Sequence, residues 1–153
     1  MFKLVISIAV CHTAGIIGGF FTRNSIPVWY ENLKKPFFTP PDWVFGPVWI
    51  VLYTMMGISI YAIWRKGLQA PGVKSAMAIF IFQLTLNILW PMIFFGGRSI
   101  DGGMVIIVLL WLAIAWTMAA FFNLSKTAFL LFTPYILWVS FALVLNAALG
   151  ILN

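Results

Sequence analysis

Glu31, Asp42 and Asp101 are the only carboxylates in the sequence, His12 its only histidine and Cys11 its only cysteine. All three acids fall in stretches rich in turn residues, so no apolar run holds the carboxylates that a proton relay needs. One histidine cannot build a multi-ligand metal site. It can pack, hydrogen-bond a neighbouring helix, or serve as a single axial ligand to a haem iron. Cys11 has no partner for an internal disulfide, and neither a phosphate cradle nor a nucleophile motif is present. What remains is aromatic surface with amides set into it. Gln83 and Asn87 lie four apart, and Trp90 and Phe94 continue that helical face. Tyr135, Trp138, Ala142 and Asn146 recur at similar spacing, as do Trp49, Tyr53 and Gly57. Aromatic walls with a few fixed polar groups suit a flat, mostly apolar ligand. The same stripes also serve plain interhelical packing through amide hydrogen bonds.

The elements that carry these residues are built for lipid. Of 153 residues, 63% are hydrophobic and 8% charged, with a mean hydropathy of +1.07. A soluble domain carries about 25% charge, so this chain lacks the polar surface to face water. Five apolar runs, 3–22, 43–64, 75–95, 104–122 and 127–152, each suffice to cross a hydrocarbon core of about 30 Å. The first starts like a signal peptide, with Lys3 ahead of it. It continues past Cys11 to Thr22 and is read as a retained span. Backbone polar groups in lipid must be satisfied within the segment, so the spans are expected to be helices. The alternating ten-residue pattern of a barrel is absent. The expectation is one all-α integral membrane domain, a five-helix bundle. Its net charge of +6 fits lysines and arginines beside headgroups, and no nucleic-acid partner is expected. Three short connections predict that successive helices pack as antiparallel neighbours. Ser7, Cys11, Gly15 and Gly19 recur every four residues on the first span. They form a groove for close helix approach, either within the chain or at a homodimer seam.

The first connection, 23–42, is far longer than a turn requires. Its core reads WYENLKKPFFTPPDW, with three prolines, five aromatics and four charged residues. Disordered segments lack such aromatics, and the prolines limit the chain to extended or turn conformations. Two readings stand: a lid folded over one mouth of the bundle, or an interfacial anchor whose Trp29, Tyr30 and Trp43 sit among headgroups.

Taken together, these residues resemble the TspO/MBR family of tryptophan-rich sensory proteins and translocator proteins. The likeness rests on Trp29-Tyr30 with Leu33, Lys35-Pro36 and Pro40-Pro41; on Gly46-Pro47-Val48-Trp49 with Leu52-Tyr53; and on Asn87-Ile88-Leu89-Trp90-Pro91 with Phe94-Phe95-Gly96. It closes with Pro134-Tyr135, Trp138, Phe141-Ala142 and Leu145-Asn146, and covers nearly the whole chain. The resemblance implies a five-helix bundle whose first loop is the lid of a pocket, in a multi-pass protein of a bacterial cell membrane or, in a eukaryote, the outer mitochondrial membrane. It implies binding of porphyrins such as protoporphyrin IX, and of benzodiazepine-type and isoquinoline drugs, with no required cofactor. The family's pocket positions fall on Tyr30, Pro40, Trp49, Asn87, Trp90, Trp138 and Ala142, and Tyr53, on the same stripe as Trp49, joins them as a candidate ligand-binding residue. An alternative that it implies is light- or oxygen-dependent porphyrin degradation, with Trp49 and Trp138 as redox-active catalytic residues. Relatives that bind cholesterol carry a Leu/Val–Tyr–Lys/Arg pattern at the end of the fifth span. Here that end, Leu145 to Asn153, has neither tyrosine nor basic residue, so the resemblance does not extend to sterol.

Overall fold

Each apolar run of the sequence becomes a helix of 23 to 27 residues, about 35–40 Å at 1.5 Å per residue. The computed structural model describes residues 1–153 and contains no strand. Its helices are α1 (Phe2–Ser25), α2 (Asp42–Trp64), α3 (Val73–Pro91, carried on to Gly96 by a π-helical turn), α4 (Ile100–Leu124) and α5 (Lys126–Leu152). All five are long and apolar enough to cross a membrane, and large apolar side chains such as Leu112, Trp116, Leu130 and Leu137 face outward. The protein is a multi-pass membrane protein. Ser99 and Ser125 start α4 and α5, each side-chain oxygen accepting from a backbone N–H three residues on, at 3.0 and 3.3 Å. That satisfies donors left over by the first helical turn.

The helices close a ring in the order α1, α2, α5, α4, α3. The short links join true neighbours at α3–α4 and α4–α5, as expected. They do not at α2–α3, and this corrects the expectation from loop length: those two helices meet only sparingly, because α1 stands between them. The reason lies in the small residues of α1. A Cβ on Gly57 of α2 would fall 2.6 Å from the Cα of Ile8, and one on Gly18 would fall 2.9 Å from the Pro91 ring of α3. Ser7, Cys11, Ala14 and Gly18 are buried there. The groove on α1 is thus used within the chain at these positions. Gly19 stands clear of it, with nothing within 4 Å of where a Cβ would lie.

Pro91 ends the regular part of α3. It has no N–H to offer the preceding turn, and the chain widens into a π-helical turn, Met92–Gly96, closed by Gly97 N–H donating to Met92 O at 2.8 Å. This turn stacks Phe94 on Trp90, ring centroids 5.1 Å apart, and stands Phe95 edge-on to both.

The first connection lies over that aromatic cluster. A 3-10 turn, Tyr30–Asn32, inserts the Tyr30 ring against Phe95 at 5.6 Å and Phe94 at 6.4 Å. Trp29 meets Phe94 edge-on at 5.4 Å, and Phe38 meets Phe141 of α5 at 6.3 Å. The loop is tied down at its far end by Asn153. Lys34 N–H donates to its Oδ1, and its Nδ2 donates back to Lys34 O, both at 2.9 Å. The segment covers one end of the bundle, while Phe37 and Trp43 point outward from it.

Gly57→Leu should push α1 off α2, since the added side chain meets backbone rather than a movable side-chain tip. A loss of about 1–3 kcal/mol is expected, the usual cost of overpacking. Thermal unfolding in detergent measures it, with Gly19→Leu as the control that leaves the midpoint in place.

Candidate ligand cavity

Alongside its contacts with α2 and α3, α1 borders an open space. His12, Gly15, Gly19 and Thr22 lie on one face of α1, and Asp42, Phe45, Trp49 and Tyr53 on one face of α2. Between them is a cavity of about 540 Å³, within the usual range of roughly 300–1,000 Å³ for small-molecule sites. Trp90 and Phe95 close it from the end of α3, Trp138 from α5, and Ile26, Pro27 and Tyr30 cover it from the loop. The loop is therefore a lid over the cavity. Its opening lies between α1 and α2. Ile16 and Ile50 are both lining and outward-facing there, and a Cβ on Gly19 or Gly46 would meet nothing within 4 Å.

The walls are aromatic and fixed by mutual contact. Trp49 stacks on Tyr53, centroids 5.5 Å apart and planes 28° apart, and meets Tyr135 edge-on. Trp138 is held edge-on by Phe45 at 6.0 Å. Its outer side borders a shallow apolar groove between α2 and α5, so one indole separates the cavity from the bundle's outer surface. Polar groups are few. Arg23 and Asp42 stand exposed at the mouth, at the last turn of α1 and the first of α2, each suited to the charge of its helix end. Burial pushes the Tyr30 hydroxyl up to about 12, the nearby Asp42 charge adding to the effect. It is a neutral phenol at physiological pH, able to donate. Lys35 holds its ammonium 4.6 Å above the same ring, a cation–π contact that pins the lid residue from outside.

Behind the Trp49–Tyr53 wall runs a chain of buried hydrogen bonds. Tyr53 donates its hydroxyl to Asn87 Oδ1 at 2.5 Å, and Asn87 Nδ2 donates to the Tyr135 hydroxyl at 2.7 Å. Tyr135 in turn donates to Gln83 Oε1 at 3.0 Å. Three helices are joined by it, and each hydroxyl spends its one proton.

Five residues of the sequence-based site, Tyr30, Trp49, Tyr53, Trp90 and Trp138, line one cavity. The other three stand elsewhere. Asn87 is buried in the hydrogen-bonded chain, Ala142 packs half-buried against the core, and Pro40 is half-buried in the strand of loop leading to α2. The α1 contribution was missed, as were Phe45 and Gly46. A signal existed: His12, Gly15, Gly19 and Thr22 follow helical spacing, but small residues at that spacing read equally as packing.

Five membrane helices around an aromatic, lid-covered cavity define a polytopic membrane protein. A model of the TspO/MBR family matches residues 7–152. The chain is 42% identical over 151 residues to the tryptophan-rich protein TspO of Archaeoglobus fulgidus, covering 99% of this chain and 97% of that one. It is also 42% identical over 150 residues to the tryptophan-rich protein TspO of Chlorobaculum tepidum, covering 98% of this chain and 95% of that one. It is 37% identical over 132 residues to the human translocator protein, covering 85% of this chain and 78% of that one. This chain belongs to the TspO/MBR family.

Asn87→Leu should leave the Tyr53 hydroxyl without its acceptor and take one donor from Tyr135, in a region closed to water. The expected loss is about 1–3 kcal/mol of stability, read as a lower unfolding midpoint in detergent. Both polar ends of Asn87 are engaged by the protein, so the stabilisation conferred by an added ligand should be retained.

Proposed function

We propose that this protein binds a tetrapyrrole, a porphyrin such as protoporphyrin IX, and acts in porphyrin sensing, sequestration or transport. The observation that carries this reading is the cavity itself: about 540 Å³, walled by three indoles and two phenols, with a surface that is mostly apolar. A planar macrocycle gains contact and dispersion on such walls at every point of its face, whereas a polar metabolite would lose its hydration unrepaid. The opening between α1 and α2 suits a ligand that partitions into lipid. Relatives whose names describe a tryptophan-rich sensory protein and a translocator protein support the same reading. The bound ligand, the lipid bilayer and a second copy of the chain are the partners consistent with it; no resident cofactor is required.

A second reading has its own observation. Trp49 and Trp138, the two oxidisable indoles singled out in the sequence, front on the same cavity. Light- or oxygen-dependent degradation of a bound porphyrin would use them as redox-active groups.

Titration of the purified protein with protoporphyrin IX, in the dark and under illumination, tests both. Saturable fluorescence quenching with an unchanged pigment spectrum is the expected result, and its absence in the wild type refutes binding. Trp138→Ala should cost roughly 1–3 kcal/mol of affinity, as stacking losses do elsewhere, while Trp138→Phe keeps most of it. A protein-dependent product under light, lost in Trp138→Phe, would establish the degradative reading, because phenylalanine stacks but resists oxidation.

A further inference from the structure

His12 is half-buried on α1 and lines the cavity. Its Nε2 lies 2.9 Å from Thr54 Oγ1 of α2. The Thr54 hydroxyl lies 2.8 Å from Ile50 O, one helical turn back, and donates to it. A hydroxyl has one proton. With that proton on the Ile50 carbonyl, Thr54 accepts from His12, and Nε2 is the protonated nitrogen. In the neutral ring the lone pair then sits on Nδ1, which makes no hydrogen bond to any other group of the chain. Nor is it sealed in the core: among buried side-chain nitrogens and oxygens only Ser25 Oγ lacks a partner. An interhelical contact accounts for Nε2 and leaves Nδ1 idle.

We infer that His12 Nδ1 is a single axial ligand for the metal of a metal-bearing tetrapyrrole held in the α1–α2 cavity. The inference rests on the tetrapyrrole reading and adds a chemical selection to it, metal-bearing over free-base rings. Metal-binding imidazoles generally donate their second N–H to an oxygen, which sets the tautomer and raises the basicity of the ligating nitrogen. The Thr54 contact is an arrangement of that kind. No other soft or nitrogen ligand competes. Cys11 is fully buried in the core, and no cluster of three ligating side chains exists. One protein bond to the metal is all the chain can offer. The tetrapyrrole must supply the equatorial four, and a bare divalent ion gains nothing.

The test uses the full chain in lipid nanodiscs, titrated separately with free-base protoporphyrin IX and its iron(III) complex, with empty nanodiscs as blank. The expected wild-type result is a shift of the iron porphyrin's Soret band to that of an imidazole-ligated form. Iron porphyrin should also bind about tenfold tighter than free base, a difference worth ~1.4 kcal/mol. His12→Ala should abolish the shift and bring the iron-to-free-base affinity ratio to about one; added imidazole should restore the shift in this variant, showing that its cavity is intact. Thr54→Val keeps the ligand but frees the ring, and should weaken iron-porphyrin binding with the shifted band retained. The inference is overturned if the wild-type spectrum matches the blank while both pigments bind. It is equally overturned if His12→Ala weakens both pigments by one factor, which would make the imidazole a packing contact in the cavity wall and not a ligand. If neither pigment binds the wild type, the tetrapyrrole reading itself falls.

Discussion

One chain of hydrogen bonds, from Tyr53 through Asn87 and Tyr135 to Gln83, crosses the middle of the bundle and ties α2, α3 and α5 together. Each link in a membrane protein is modest, about 0.6 kcal/mol on average and up to ~2. The constraint they impose is larger than that sum, because a polar group displaced from the chain has no water to turn to. The rest of the structure follows from this fixed point. Tyr53 is held by its hydroxyl and so presents its ring to Trp49, which stacks on it and forms the cavity's inner wall. Tyr135 is held likewise and braces Trp49 from behind. The network also bridges α2 and α3 where their backbones scarcely meet, leaving room for the cavity beside it.

Small residues do the complementary work. On α1, glycine, serine and alanine let the helix approach α2 and α3 closely, so the seam is sealed along most of its length. Where glycine has no facing partner, at Gly19 and Gly46, the same lack of a side chain leaves a gap. One residue type therefore closes the bundle at one level and opens the cavity at another, and the difference lies in what stands opposite. The lid uses a third device. Its prolines stiffen it, Tyr30 anchors it in the Phe94–Phe95 cluster, and Asn153 holds it by two hydrogen bonds that imitate a backbone pair.

The cavity's chemistry is set by what it omits. Tyr53, Thr22 and Trp90 commit their polar atoms to other protein groups, so the walls present mostly aromatic faces. Other polar groups sit at defined places: Arg23, Asp42 and the Tyr30 hydroxyl at the mouth, the Trp49 and Trp138 indoles in the walls, and the His12 ring further along α1. A site of this kind reads a ligand by shape and by one or two polar atoms, which suits membrane-borne molecules that differ little in polarity.

Composition and run length alone determined that the chain lives in lipid and that it makes five helices, because unpaired backbone groups in hydrocarbon leave no alternative. Helical spacing was enough to single out Trp49, Tyr53, Trp90 and Trp138, and the family motifs added Tyr30 to them. Spacing did not reveal that Asn87 would turn toward two tyrosines rather than into the cavity. An amide at that position satisfies either arrangement, and only the placement of Tyr53 and Tyr135 on other helices decides between them. Loop length suggested that α2 would lie against α3, but the small face of α1 came between them, a matter of interhelical volume that no single segment records. The same holds for His12. Its type was legible as a lone imidazole, but the commitment of Nε2 and the freedom of Nδ1 depend on Thr54 of another helix, brought within 2.9 Å by the tertiary fold.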